Sequence, residues 1–364
     1  MSARLDDRAW DAFVAGSDPG SYLQLSAWAR VKSANGWQAV RVAAESPDGL
    51  IGAQVLVRRP RLVPWSFAYA PRGPVAARWT GAAVESFTER ARRALAEEGR
   101  VAVLRIDPEI ERDSPLDPDG TLRLALEHAG WRPAPAIQPV TTRLIDLRVD
   151  EAGLWAGLRK KWRQYVNRAR SAGIRVVEAE GDRLADFYRI YRQTAARAGF
   201  LIRTEQAYRD VWAAFRPAGG ARLLFAEDAH GVPQATLFLV RCGPRVVEPY
   251  GGMTEAGAES RANYLLKWEA IRSSREQGAT SYDLWGLAHP GIAHFKSGFG
   301  GREVHYIGAW ELVLDPLGRA VYQAAQATRV RLARRRHGLR GPAGASAFAG
   351  DDGDAGGGDG GPAG

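Results

Sequence analysis

Cysteine and lysine are scarce in this chain of 364 residues: there is one cysteine, and only five of the 50 basic residues are lysine. The lone Cys242 excludes an internal disulfide, and its place in the apolar run ATLFLVRCG reads as a small buried hydrophobe, not a thiol nucleophile. A reducing compartment fits. No run approaches the roughly 18 apolar residues that a membrane-spanning helix needs. The opening MSARLDDRAWDAF holds acidic residues and no apolar core, so no secretory leader is expected. There is no GxxxxGK[ST] phosphate loop, no GxSxG elbow and no cysteine pair for zinc. His289 and His294 in HPGIAH are separated by Pro290 and Gly291, which read as a block to any helix placing both on one face; no metal is expected. The remaining histidines are scattered, so nothing in the sequence supports a histidine general base.

What is present is positive charge, at +9 formal net charge and a pI near 9.9. A surplus of this kind points to a polyanionic partner: nucleic acid, phospholipid headgroups or a phosphorylated substrate. Hydrophobic residues make up 45% of the chain, enough for a proper core, and the length accommodates two domains. The final stretch, 338–364, is Gly, Ala and Asp with almost nothing to bury and reads as disordered. Before it, 324–340 reads as a helix ending in a basic cluster, which suits either a solvated helix end or phosphate contact.

The rest is written twice. WQAVRVAAESPDGLIGAQVLVRRPRLVPWSFAYAPRGPV reads as strand, turn, strand, strand, then a helix from about Thr80 to Glu98 and the strand VAVLRIDPE. ARLLFAEDAHGVPQATLFLVRCGPRVVEPYGGMT repeats that order, with a helix from about Arg261 to Gln277 and the strand TSYDLWGL. Gly49 pairs with Gly231 and Gly99 with Gly278; further on, LEHAGWRP and TTRLIDL match FKSGFGGRE and GAWELVL. On this register Gly130 answers Gly298, and His128 answers Lys296. Two copies of one β-rich α/β unit are expected. Between them GLWAGLRKKWRQYVNRARSAGIRV shows apolar residues at helical spacing, with six cations and no acid over 158–170. A solvated face or an anion contact both suit that run.

Lys296, in HFKSGFGG, stands out because the chain otherwise writes its cations as arginine. A lysine ammonium is a compact point charge with three donors. Beside glycines that let a substrate come close, it would stabilise an oxyanion during acyl transfer. A surface lysine in a turn is the plain alternative.

FKSGFGG followed by YIGAWELVLDP resembles the signature of the FemA/FemB/FemX aminoacyltransferases, which build peptidoglycan bridges. SYLQLSAWARVKSANGW, LRKKWRQYVNRARSAGI and YGGMTEAGAESRANYLLKWEAIRSSREQGATSYDLWG agree, so the resemblance covers about residues 10–335. It implies an α/β (α+β) fold of two tandem GNAT-like domains, 1–145 and 146–315. The C-terminal helix, about 316–337, would join the first domain. No stretch would supply the long antiparallel arm of some relatives, so the chain is similar to the armless, FemX-like subgroup.

The resemblance implies transfer of Gly, Ala or Ser from aminoacyl-tRNA to a side-chain amine of a peptidoglycan precursor, lipid II or UDP-MurNAc-pentapeptide. It assigns Lys296, next to Phe295, to the tetrahedral intermediate. Lys32 and Arg203 would hold the precursor diphosphate, with the substrate-binding Tyr208 following Arg203, Tyr250 would line the channel, and Asp107 would contact substrate. The donor ester is already activated, so no cofactor is required. A cytoplasmic monomer, resting on the inner membrane face when its precursor is lipid-linked, is what the resemblance implies. An acetyl-CoA-dependent N-acetyltransferase would want an R/Q-x-x-G-x-G/A loop where GGMTEAGAESRANY stands, and a plain nucleic-acid-binding protein leaves the duplication unexplained.

Overall fold

The computed structural model describes residues 5–60, 63–287 and 290–324. His289, the basic cluster after residue 324 and the Gly/Ala/Asp tail lie outside the described residues.

The first half opens with helices α1 (Asp7–Gly16) and α2 (Ser26–Ser33). Strands β1 (Gln38–Ser46), β2 (Gly49–Arg58), β3 (Ser66–Ala70) and the short β4 (Val75–Ala76) follow. Next come α3 (Gly81–Glu97), β5 (Val101–Ile106), α4 (Thr121–His128), β6 (Trp131–Ala134) and β7 (Thr141–Asp146). Thr80 starts α3 as the sequence suggests: its side chain accepts from Ala83 N–H at 3.1 Å. Gly49 and Gly231 both take positive φ in the hairpin turns, and Gly99 and Gly278 do so behind the two matched helices, where a side chain would be strained.

The linker expected as one helix is two, α5 (Glu151–Gly157) and α6 (Lys160–Ser171), followed by β8 (Arg175–Ala179). The break falls at Leu158, which is extended, and Arg163 reaches back to donate to the Ala156 and Leu158 carbonyls at 3.0 Å each. One of the six cations of this run thus caps a helix end. The second half then runs through α7 (Leu184–Ala198), α8 (Glu205–Phe215), β9 (Ala221–Glu227), β10 (Pro233–Cys242) and β11 (Arg245–Met253). It closes with α9 (Glu255–Glu259), α10 (Ala262–Glu276), β12 (Ser281–Asp283), α11 (Pro290–Ser297), β13 (Arg302–His305) and β14 (Ala309–Val313), and residues 316–324 are helical.

Two seven-stranded sheets result, ordered β1-β2-β3-β5-β14-β6, with β4 on β2, and β13-β7-β12-β11-β10-β9-β8. In each, one parallel pair (β3 with β5, β11 with β12) interrupts antiparallel neighbours. The sheets do not divide where the chain does. β7, which the 1–145 division gives to the first half, pairs with β12 and β13, while β14 inserts between β5 and β6. Each copy lends its last strand to the other's sheet. A buried Arg105–Glu311 ion pair, 2.6 Å and only 2% and 3% exposed, ties β5 to its guest strand, and Thr142 of β7 donates to Asp283 of β12.

The sheets face each other across a core to which α1, α2, α7 and α8 contribute; Trp10, Trp28, Phe187 and Phe215 are fully buried there. A second core lies under α3 and α4, and a third under α6 and α10. The helical residues 316–324 return to the first sheet, where Tyr322 stacks on Phe67 at 4.5 Å. Cys242 is buried as expected, and burial raises its thiol to about 12.

Candidate active site

Lys296 is not in a flexible turn. It stands in the last turn of α11, where Pro290 occupies the first helical position, a place proline favours. The ammonium donates to the carbonyls of Trp285 at 3.1 Å and Gly286 at 2.8 Å. Among the described residues it pairs with no carboxylate. Burial, reinforced by the neighbouring Lys267 cation, lowers its pKa to about 8. These bonds use two of its three donors.

The glycines after Lys296 do not open a path for substrate. A Cβ on Gly298 would overlap the Trp162 indole, whose Nε1–H donates to the Phe295 carbonyl at 3.0 Å. Gly301, at positive φ, lies against the Leu144 carbonyl of β7. Their missing side chains admit the protein's own α6 and guest strand. The twin position shifts as well: counted from the helix ends, His128 answers Ser297, because four residues separate α11 from β13 where two separate α4 from β6.

Phe295 packs edge-on against Tyr264 at 5.1 Å and Phe299 at 5.3 Å. Lys267 lies over Phe295 at 5.6 Å and forms a buried ion pair with Glu248, which also accepts from Tyr282 Oη at 2.8 Å. Sequence reasoning missed Lys267, although lysine's rarity, which singled out Lys296, applies to it equally.

Lys32 and Arg203, 171 positions apart, meet on one ring. Lys32 Nζ lies 5.2 Å, and the Arg203 guanidinium carbon 5.4 Å, from the centroid of Trp28. Lys32 is 2% exposed. Trp28 precedes Lys32 by four residues on α2, a same-face spacing that could have flagged it. Arg203 N–H donates to the Tyr208 hydroxyl at 3.2 Å, and Tyr208 packs against Tyr250 at 5.1 Å. Burial raises the Tyr208 hydroxyl well above its ordinary pKa. Four of the seven residues the resemblance named, Lys32, Arg203, Tyr208 and Tyr250, therefore converge.

A path of rings connects this cation pair to Lys296. Trp28 meets Tyr22 at 5.8 Å, Tyr22 meets Trp285 at 6.0 Å, and the Trp285 carbonyl holds Lys296. Trp285 has a left-handed backbone at φ 58, fixed by its N–H donating to Asp283 at 2.7 Å. Asp107, just past β5, is 3% exposed and accepts from Tyr69 Oη at 2.7 Å and Arg72 N–H at 2.6 Å. Burial raises its carboxyl to about 6.

The Arg72 guanidinium stacks on Trp285 at 5.1 Å and Tyr306 at 4.9 Å and contacts Glu109 at 3.3 Å. Glu109 in turn binds Arg245 at 2.6 Å, and Arg245 also pairs with Asp283. This buried network joins both halves behind Trp285. The sequence offered no signal for it, since its members are single residues spread from position 72 to 306.

The sequence matches the FemAB family over residues 5–228 and 216–327. The chain belongs to the FemAB family. The lipid II:glycine glycyltransferase of Staphylococcus saprophyticus is 24% identical over 384 aligned residues, covering 85% of this chain and 92% of that protein. Its counterpart in Staphylococcus haemolyticus is 22% identical, covering 88% and 94%. The crystal structure of FemX superposes with a TM-score of 0.78 at 20% identity, over 88% of this chain and 98% of that one, which shows a common fold. This FemAB protein is thus an enzyme of the aminoacyltransferase class, built as two mixed α/β units with the fold of FemX. No coiled-coil arm occurs among the described residues.

Proposed function

We propose that the protein transfers an amino acid from aminoacyl-tRNA to the side-chain amine of the stem peptide of a lipid-linked peptidoglycan precursor. One observation carries the reading: Lys296 is a half-buried cation with two donors on backbone carbonyls, joined through the contacting rings of Trp285, Tyr22 and Trp28 to a pair of cations. The pair on Trp28 suits a diphosphate, whose oxygens accept charge-assisted hydrogen bonds from two adjacent cations. The stem peptide then follows Tyr208, Tyr250 and Tyr22 toward Trp285.

The neutral acceptor amine attacks the ester carbon of the donor, forming the C–N bond and placing negative charge on the carbonyl oxygen. The free N–H of Lys296 meets that oxygen in a site from which water is largely excluded. Collapse breaks the ester C–O bond, and the proton lost by the amine ends on the leaving ribose hydroxyl. The ester is already activated and the two substrates are held side by side, so positioning supplies much of the rate. Asp107, with its oxygens engaged by Tyr69 and Arg72, positions Arg72 and through it Trp285. The two staphylococcal relatives, named for glycine transfer to lipid II, support lipid II as acceptor; on this reading a monomer reaches it from the cytoplasmic membrane face. No helix among the described residues is long and apolar enough to cross that membrane.

The experiment supplies glycyl-, alanyl- and seryl-tRNA with lipid II or with UDP-MurNAc-pentapeptide and follows the acceptor's mass. Addition of one aminoacyl residue to lipid II is expected. Addition from acetyl-CoA alone, or none from any charged tRNA, overturns the reading.

A further inference from the structure

Helix α6 carries its cations where a helix does not favour them. Arg159, Lys160 and Lys161 crowd its N-terminal end, no side chain caps it, and the first turn holds no acid. Positive charge there opposes the helix dipole. Trp162, Val166 and Ala169 face the core, so Lys160, Lys161 and Arg168 point outward. The same end is bolted to the reaction centre: Arg159 N–H donates to the Gly298 carbonyl at 2.9 Å, and Trp162 to that of Phe295.

On one flank of α6 the half-buried ring of Tyr165 receives two cations, the Arg261 guanidinium at 4.6 Å and Lys161 Nζ at 5.7 Å. Arg261 holds a left-handed backbone, φ 63, at the start of α10, and its Nε is buried with no hydrogen-bond partner. Its Nη1 donates to the Ala258 carbonyl at 3.2 Å, and a non-glycine residue held in this conformation is a strain that clusters at ligand sites. From Tyr165 the rings continue inward: Tyr264 lies at 4.8 Å, and Phe295 lies 5.1 Å from Tyr264. Lys296 is the next residue.

We infer that this ledge of Lys161, Tyr165, Arg261, Tyr264 and Phe295 binds the unpaired 3′ end of the donor RNA. Its bases stack on the tyrosines, its phosphates meet Lys161 and Arg261, and its terminal ester reaches Lys296. Alternating aromatic faces and cations are the recognition chemistry of single-stranded nucleic acid. A lipid surface calls for cations alone and has no use for a ring path ending at a point charge. The inference rests on the aminoacyl-tRNA donor proposed above.

The probe is an uncharged hairpin RNA with a single-stranded 3′ overhang, compared with the same hairpin made blunt, each titrated against the full chain. Tyr165→Ala is expected to weaken binding of the overhang probe about tenfold, while blunt-hairpin binding stays unchanged and Tyr165→Phe binds as wild type. Arg261→Gly suits the left-handed backbone better than arginine, so a severalfold loss of overhang binding there cannot come from unfolding. Transfer from charged tRNA is measured in parallel, with KM for tRNA as the readout. Wild-type transfer with unchanged KM and overhang affinity in Tyr165→Ala and Arg261→Gly overturns the ledge and leaves the donor reading standing. Absence of wild-type transfer from any charged tRNA overturns both. Loss of binding to anionic phosphatidylglycerol vesicles in these variants, with RNA binding intact, overturns the ledge in favour of a membrane contact.

Discussion

The two copies of the unit end the same way and do different things. In the first, α4 closes at His128, exposed, and β6 begins after two intervening residues. In the second, α11 carries Lys296 against two carbonyls, and a loop twice as long folds back under Trp162 before β13. The scaffold, the parallel strand pair and the position of the helix are shared. The longer glycine loop lets α6 approach, which the first copy has no need to accommodate. Duplication supplied the frame, and one loop with one lysine supplies the proposed reaction centre.

The comparison breaks most severely at Lys296. Lys296→Met should lower kcat by about 10²–10³, the loss seen when a single oxyanion donor is removed, while precursor binding stays within a fewfold. Lost binding with intact single-turnover chemistry would make the residue an anchor. pH sharpens the same point. With its pKa near 8, Lys296 is charged below that value, so its stabilisation of the oxyanion falls as pH rises through 8. An alkaline limb near pH 8 is expected in kcat, and it should be absent from Lys296→Arg, whose guanidinium stays charged. Stability moves the opposite way. Because the folded-state value lies below the ordinary 10.5, the native state holds fewer protons between about 8 and 10.5. Wild type should therefore gain stability across that window relative to Lys296→Met, as thermal melts of the two across pH would record.

Next in size are the cations on Trp28. Lys32→Ala and Arg203→Ala should each raise the precursor KM about tenfold with kcat nearly unchanged, since they hold a part of the substrate that does not react. A fall in kcat at constant KM would remove the diphosphate from Trp28. Gly298→Ala and Gly130→Ala compare the two loops directly. The first forces a methyl into the Trp162 indole and should cost about 3 kcal/mol in chemical denaturation. The second places alanine at φ 90 beside the flexible Arg92 side chain, at roughly 1 kcal/mol. Equal losses would mean that α6 yields. Smallest of all, His128→Ala should leave kcat and KM within about twofold, as for a surface change away from the reaction.

Much of this was readable before any coordinates. Helix starts and stops at Thr80, Gly99 and Gly278 follow from local chemistry, and the paired turn glycines gave away the repeat. The short helix α11 was hidden in HPGIAH, because proline forbids a helix interior but favours a helix start. The glycines beside Lys296 misled, since a sequence does not reveal which neighbour fills the space a missing side chain leaves. Trp28 and Lys267 carried signals in spacing and rarity; Arg72, Glu109, Arg245 and Asp283 carried none.

The sequence by itself determined the elements, their order, the duplication and the unusual lysine, because turns, caps and hydrophobic periods act over a few residues. Only the tertiary structure decided which sheet β7 and β14 join, because each sheet offers the same backbone hydrogen bonds between its fifth and last strands. It also decided that Lys32 and Arg203 share one indole and that the path from it ends at Lys296. Those contacts join residues far apart in the chain, and they exist only once the two sheets close on a common core.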